Sequence, residues 1–185
     1  EQGVEHFERL FRVKPVAIAH DMHPNYLATR YAQERAEREG LPLIAVQHHH
    51  AHVAACMAEH RLNEPVIGIS FDGTGYGEDG AIWGGEVLVA DYKSYQRVAH
   101  LGYFPLPGGD AAIKRPARTA LALLWSLGLE WDERLAPVLE FCAEDQVKLR
   151  IQLEKRINTP QTSSMGRLFD AAAALAGVRQ KVNYE

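Results

Sequence analysis

Cysteine is scarce in this sequence: Cys56 and Cys142 are the only two, and they form no C-x-x-C pair. That excludes a disulfide framework and a four-thiolate structural zinc site. Long apolar runs are missing as well. No stretch approaches the roughly 18 residues of a membrane span, and no signal peptide opens the chain, so a cytoplasmic setting without membrane partners is expected. Positive charge is not in surplus either. Lys and Arg number 20 against 24 Asp and Glu, for a net charge of −4, which argues against nucleic acid as a partner. Internal repeats and low-complexity linkers are also absent. What remains is 185 residues with 46% apolar and 24% charged content, enough for one unit with a real core and too little for two full domains.

Histidine, by contrast, is concentrated. Four of the nine histidines fall within five residues, at His48, His49, His50 and His52. They follow the apolar run Leu43-Ile44-Ala45-Val46, which reads as a buried strand after the turn signal Gly40-Leu41-Pro42. Ala51 to His60 is helix-permissive, so the histidines sit where a strand gives way to a helix. A helix begun by His48 projects His48 and His52 from one face, a spacing at which two imidazoles bind one metal ion. The plainer reading is a polar strand end followed by a hydrogen-bonded helix residue. His49 and His50 cannot both share the His48/His52 face, so at least one has another role.

The rest of the chain reads as α/β. Residues 4 to 11 have helical spacing, with Val4, Phe7, Leu10 and Phe11 apolar. Val16 to Ala19 is a short strand, and a helix started at Pro24 presents Leu27, Ala28, Tyr31 and Ala32 inward until Gly40. Val66 to Phe71 is a third strand. Strand, helix, strand, helix, strand predicts parallel pairing. Six of the fourteen residues from Asp72 to Gly85 are glycine, which predicts a loop able to approach a ligand closely. Further strands are expected at Ala81–Trp83 and Glu86–Ala90, then over residues 96–104, with a break at Pro105 to Gly109. Helices follow over 111–127, 135–142 and 145–157. A last helix capped by Ser163 or Ser164 buries Leu168, Ala172 and Leu175 and ends at Gly177. Trp83, Trp125 and Trp131 need no role beyond the core.

Three glycine-bearing turns carry candidate chemistry. Phe71-Asp72-Gly73-Thr74-Gly75 delivers an aspartate onto a glycine turn: the carboxylate suits a cation and the amides suit an anion, unless this is an ordinary Asp-Gly hairpin. Pro107-Gly108-Gly109-Asp110 leads into a helix with Lys114, Arg115 and Arg118 near its start, a placement that favours an anionic partner, although Asp110 as a simple N-cap explains the turn equally well. Ser163-Ser164-Met165-Gly166-Arg167-Leu168-Phe169-Asp170 places Gly166 in a helical first turn, where it lowers helix propensity and implies close approach of a backbone or a ligand.

Taken together these stretches closely resemble the HypF carbamoyltransferases of [NiFe]-hydrogenase maturation. The resemblance rests on residues 47–52, 71–75, 80–86, 105–110 and 163–170, joined by His20-Asp21-Met22-His23-Pro24 and Tyr26-Leu27-Ala28-Thr29, and it covers essentially the whole chain. It implies an actin/Hsp70/sugar-kinase-like (ribonuclease H-like) fold related to the TsaD proteins of tRNA threonylcarbamoylation. An α/β first part (about 1–110) would then lead into a mostly helical part (about 111–185). In that family carbamoyl phosphate and ATP give carbamoyl-adenylate in a neighbouring YrdC-like domain. The carbamoyl group then passes to the C-terminal cysteine of the partner HypE and later becomes a cyanide ligand of iron. The resemblance maps metal ligands for a divalent zinc or iron onto His48, His52 and Asp72. It also suggests nucleotide contacts at Gly73, Thr74, Gly75, Gly166 and Asp170.

Because Glu1 is not an initiator methionine and residues 181–185 finish no element, the chain is expected to be a fragment of this domain, inactive by itself. Two alternatives come from the same superfamily, an O-carbamoyltransferase and a tRNA threonylcarbamoyl transferase. A third, from another class, is a non-catalytic metal- or protein-binding module.

Overall fold

The computed structural model describes residues 2–183. Glu1, Tyr184 and Glu185, on which part of the fragment expectation rested, lie outside the described residues. Helix α1 (Gln2–Phe11) buries none of its residues, and Arg35 of the next helix reaches Glu8 at 2.7 Å. Strand β1 (Ile18–Asp21), helix α2 (Leu27–Glu39) and strand β2 (Leu43–Val46) form a right-sized βαβ unit, with β1 and β2 parallel and Asp21 opposite Val46. Gly40 ends α2 in the left-handed region at φ 66°, and its amide donates to the Ala36 carbonyl, a cap that glycine adopts without steric cost. The buried face of α2 is Thr29, Ala32, Arg35 and Ala36. Leu27 and Ala28 are exposed instead of inward: they lie in the first turn, off the 29/32/36 stripe that packs.

Helix α3 (His48–Glu59) starts directly after β2, where the Gln47 side chain accepts from the His50 amide at 2.9 Å. That N-cap sets the helical phase of the histidines. Strand β3 (Val66–Tyr76) then departs from expectation. It pairs antiparallel with β4 (Ile82–Ala90) in a second sheet, and not parallel with β2. A hairpin supplies the reason: the Gly77 amide donates to the Ala81 carbonyl, and Gly80 adopts φ 78°. Most of the expected glycine loop over 72–85 is therefore strand. Its irregular part is small, a register shift between Phe71 and Gly75. Gly84 lies against it, and a Cβ there would meet the Asp72 carbonyl carbon and the Ser164 Cα at 3.0 Å each. The glycines serve close packing of backbones here, as well as any turn.

Strand β5 (Tyr95–His100) continues the meander on β4. Strand β6 (Phe104–Pro105) pairs with β7 (Gln161–Thr162) and ends the sheet order β3-β4-β7-β6, an edge position that tolerates proline in a strand. The helix expected over 111–127 is two helices, α4 (Asp110–Ile113) and α5 (Pro116–Ser126). Pro116 lacks the amide that a continuous helix requires and sits instead in the first turn of α5. Asp110 is the first residue of α4, with Gly109 in the capping place. Helices α6 (Ala136–Leu139) and α7 (Ala143–Glu154) close the larger core. In it Ala117, Leu121 and Leu124 pack with Trp131, Val138, Phe141, Leu149 and Leu153.

The helical part is not free of strands, since β7 (Gln161–Thr162) returns to the sheet between β4 and β6. Helix α8 (Met165–Leu175) follows, with Ser164 capping the Arg167 amide. Its inward residues are Ala171 and Ala174, packed on Ala120 of α5. Ala172 is exposed, one position out of the phase read from the apolar pattern, because small residues let α8 lie closely on α5 along the alanine face.

Candidate metal centre and the adjoining cleft

The C-terminal end of β2, the first turn of α3 and the irregular segment of β3 converge. His48 Nε2 lies 2.9 Å from Asp72 Oδ2 and 3.2 Å from His52 Nε2. One ligand atom from each of His48, His52 and Asp72 falls within 4.8 Å of the others. Two helical imidazoles one turn apart and a strand carboxylate are thus brought to one point from two elements, α3 and β3. His52 is exposed at the rim, while His48 and Asp72 are half-buried.

A fourth residue orients the first. Asp21 Oδ2 lies 2.7 Å from His48 Nδ1, and its other oxygen accepts from the His23 amide at 2.7 Å. With Nδ1 donating to Asp21, His48 would present the lone pair of Nε2, the nitrogen facing Asp72 and His52, to a bound cation. The donor set of two imidazoles and one carboxylate, backed by a carboxylate on the inner imidazole, fits a zinc or iron ion. Sequence reading had not assigned Asp21 a role. The signal was available, since β1 and β2 are parallel neighbours and Asp21, like His48, lies at the C-terminal edge.

The remaining two histidines take other places. His50 packs on Tyr95, and its Nε2 lies 2.7 Å from the Asp91 carbonyl. His49 is fully buried, with Nδ1 3.3 Å from the Gln47 side-chain amide and Nε2 4.0 Å from Asp72 Oδ2. Burial, reinforced by the neighbouring His48, pushes its pKa down to about 4. The ring lies where a side chain on Gly75 would stand, so Gly75 is required by His49 whatever else it binds.

On the far side of Asp72 opens a cleft of about 550 Å³. Asp72, Gly73, Thr74 and Gly75 line one wall, and His23, Tyr26, Asp110, Ile113 and Arg167 line others. Of the expected nucleotide residues, Gly73, Thr74 and Gly75 therefore face this space. Gly166 does not. It packs on the neighbouring strand, where a Cβ would come within 2.8 Å of the Gly73 Cα, so the close approach it permits is to a backbone. Asp170 lines an adjoining hollow with Arg167 and Arg179, and burial, only partly opposed by Arg167, raises its pKa.

Beneath the cleft lies a buried ion pair that sequence reading also missed. Glu86, with no exposed surface, accepts from Arg97 Nε and Ser163 Oγ at 2.5 Å each, and from the Gly84 and Gly85 amides. Arg97 also donates to Asp79 and Tyr103 and lies over the Trp83 ring at 4.0 Å. This network fixes Ser163, and so the head of α8, to the sheet. Ser164 completes the junction, its Oγ lying 2.7 Å from both the Asp72 and Gly73 carbonyls.

A helical histidine pair and a strand aspartate beside a glycine-lined cleft fit a domain of the Kae1-like kind, and comparison with known proteins agrees. Residues 1–59 match the family model for the HypF Kae1-like domain, and residues 68–185 match that for the second subdomain of the carbamoyltransferase Kae1-like domain. The chain belongs to the HypF family. Carbamoyltransferase HypF2 of Cupriavidus necator is 44% identical over 100% of this chain and 22% of its own length. Carbamoyltransferase HypF of Rhodobacter capsulatus is 47% identical over 93% of this chain and 23% of its own.

A crystal structure of full-length HypF in the phosphate- and nucleotide-bound form superposes with a TM-score of 0.88 at 49% identity, covering 100% of this chain and 28% of that one. The structure of HypF from T. kodakarensis gives 0.84 at 40% identity, covering 100% of this chain and 26% of that one. This chain therefore spans about a quarter of the length of each of these four proteins. No helix among the described residues is long and apolar enough to cross a membrane.

Proposed function

We propose that residues 1–185 act as one unit in carbamoyl transfer, from carbamoyl-adenylate formed from carbamoyl phosphate and ATP to the C-terminal cysteine of HypE. The observation that carries this is the sharing of Asp72 between the His48/His52 cluster and the cleft lined by Gly73, Thr74 and Gly75. A divalent ion held by His48, His52 and Asp72, zinc or iron by its ligands, would supply Lewis acidity to a carbamoyl or phosphoryl oxygen. Asp21 holds His48 in the tautomer that presents Nε2. At Gly73, where no side chain stands between the main chain and the cleft, the adenylate can approach the strand.

In the transfer itself the cysteine thiolate sulfur attacks the carbamoyl carbon. A C–S bond forms, the C–O bond to phosphate breaks, AMP departs, and the thiol proton has already gone to solvent.

The test is mass spectrometry of a peptide ending in the HypE cysteine, incubated with carbamoyl-adenylate and the full-length enzyme that carries this stretch. A gain of one carbamoyl group on that cysteine, lost in His52→Ala, is expected. Transfer instead to a sugar hydroxyl or a tRNA-bound nucleoside would reassign the acceptor, and unaltered transfer by His52→Ala would remove the metal cluster from the reaction. The 185-residue chain alone is expected to give no product, since such chemistry needs a closed, water-excluding site.

A further inference from the structure

Arg167 is the least satisfied cation near the cleft. Its side chain is 14% exposed, yet Nε and Nη1 are buried without a hydrogen-bond partner among the described residues. Among the described residues its one ion-pair neighbour is Asp170, with Oδ2 3.1 Å from Nη2 but off the line of a hydrogen bond. Arg97 shows what a structural arginine looks like in this fold, with Glu86, Asp79, Tyr103 and Ser163 all accepting from its guanidinium. Leaving a buried guanidinium short of acceptors is costly, and such groups persist where a ligand completes them.

The position supports that. Arg167 lies in the first turn of α8, held over β3 by the Gly166–Gly73 contact and by Ser164. Its Nη2 would stand 3.5 Å from a Cβ on Gly73, so this nitrogen reaches the wall of the cleft beside Asp72. In the same wall Asp72, Gly73 and Thr74 fall outside the β3–β4 pairing, leaving main chain there without a ladder partner on β4. Helix α8 points its electropositive end toward the same place.

We propose that Arg167 is the anion-binding residue of this cleft, taking the phosphoryl oxygens of an adenylate-type mononucleotide beside Asp72. The phosphoryl class follows from the fork of the guanidinium, which matches a tetrahedral oxyanion with two acceptor oxygens. The size of the cleft admits a nucleoside with it. The identity of the nucleotide rests on the carbamoyl-transfer reading; the anion site does not.

The experiment compares AMP, adenosine and inorganic phosphate as ligands of the 185-residue chain by calorimetry, in the parent, Arg167→Gln and Arg167→Lys. The parent should bind AMP roughly 10–100-fold more tightly than adenosine, the range of a charged hydrogen bond. It should also bind phosphate weakly. Arg167→Gln should bind AMP no better than adenosine, with adenosine affinity unchanged, and Arg167→Lys should fall between. Zinc binding at the His48 cluster checks that each variant has folded.

A parent with no preference for AMP, or without measurable binding of AMP and phosphate, overturns the proposal. So does an Arg167→Gln variant that keeps the preference. If the preference behaves as expected while the full-length enzyme transfers no carbamoyl group, the anion site stands and the transfer reading falls.

Discussion

Two polar clusters flank the same strands, and they are built on opposite terms. Around Glu86 every charge is answered. Its carboxylate accepts from Arg97, Ser163 and two main-chain amides, and Arg97 in turn is stacked on Trp83. Around Asp72 the accounts stay open: His48 and His52 turn Nε2 toward each other, His49 Nε2 is buried without a hydrogen bond, and two nitrogens of Arg167 have no partner among the described residues. A closed network fixes geometry and has nothing left to offer a ligand. An unanswered one is less stable as it stands, and that deficit is what a metal ion and an anion would remove. Each cluster holds an aspartate and an arginine, Asp79 and Arg97 in one and Asp72 and Arg167 in the other, and the two arginines differ in how many partners answer them.

The sharpest break of that contrast is Glu86→Gln. It leaves Arg97 facing an amide in a fully buried position, so stability to urea should fall by about 3 kcal/mol. A loss below about 1 kcal/mol would show that Asp79 and Tyr103 suffice for Arg97. The pH response has a definite sign. Burial pushes the Glu86 carboxyl up, but Ser163, Arg97 and the Gly84 and Gly85 amides outweigh it and hold its pKa below the ordinary 4.5. A carboxyl with a depressed folded pKa contributes stability that is present above the unfolded value and lost as pH falls through the folded one. Parent stability should therefore drop as pH is lowered below about 4.5, and Glu86→Gln should lose that part of the slope.

The open cluster should break differently, in affinity more than in stability. His52→Ala removes an exposed side chain, so urea unfolding should shift by less than about 0.5 kcal/mol. Zinc affinity should fall by more than the roughly 10–100-fold typical of removing a residue that only hydrogen-bonds to a ligand. A variant that binds zinc like the parent would remove His52 from the site. Asp21→Asn is the finer test. The amide keeps the shape but no longer offers a second anionic oxygen to His48 Nδ1, and zinc affinity should fall about 10–100-fold with the fold intact. An effect under threefold would mean that His48 is oriented by packing alone.

Much of this was legible in the sequence, and what was not has physical causes. The apolar runs at Val16, Leu43 and Val66, the cap at Gly40 and the helical phase of His48 and His52 are local properties, and their positions come out within a residue or two. Burial does not, since β2, read as buried, pairs only with β1 and leaves Leu43, Ile44 and Ala45 exposed. So does the convergence of Asp72 with the two histidines, although the reasoning that led there used a parallel β2–β3 pair that does not form. The pairing partner of β3 is a long-range choice between β2 and β4, and it turned on the hairpin at Gly77 to Gly80. Pro116 was a plain local signal for splitting the helix over 111–127. The alanine face of α8 was ambiguous because Ala171, Ala172 and Ala174 are equally apolar and only packing on Ala120 selects among them. Asp21 and Arg167 escaped for a different reason. Their significance lies in which partners they have or lack, and a sequence lists residues without listing partners.

Ser164 joins the two clusters and makes the mildest test of their independence. Its hydroxyl caps α8 by accepting from the Arg167 amide at 3.1 Å and lies within reach of the Asp72 and Gly73 carbonyls. Ser164→Ala should cost about 1 kcal/mol of stability, the usual loss for an N-cap. The Asp72 carboxylate, however, is set by its own strand and by the Gly73 amide, which donates to Oδ1 at 2.6 Å. That geometry does not pass through Ser164. Zinc affinity in Ser164→Ala should accordingly stay within about threefold of the parent, under 1 kcal/mol on the affinity scale. A fall as large as that of Asp21→Asn would mean that the staple beneath the sheet sets the metal ligand's position, and that the closed and open clusters are one unit.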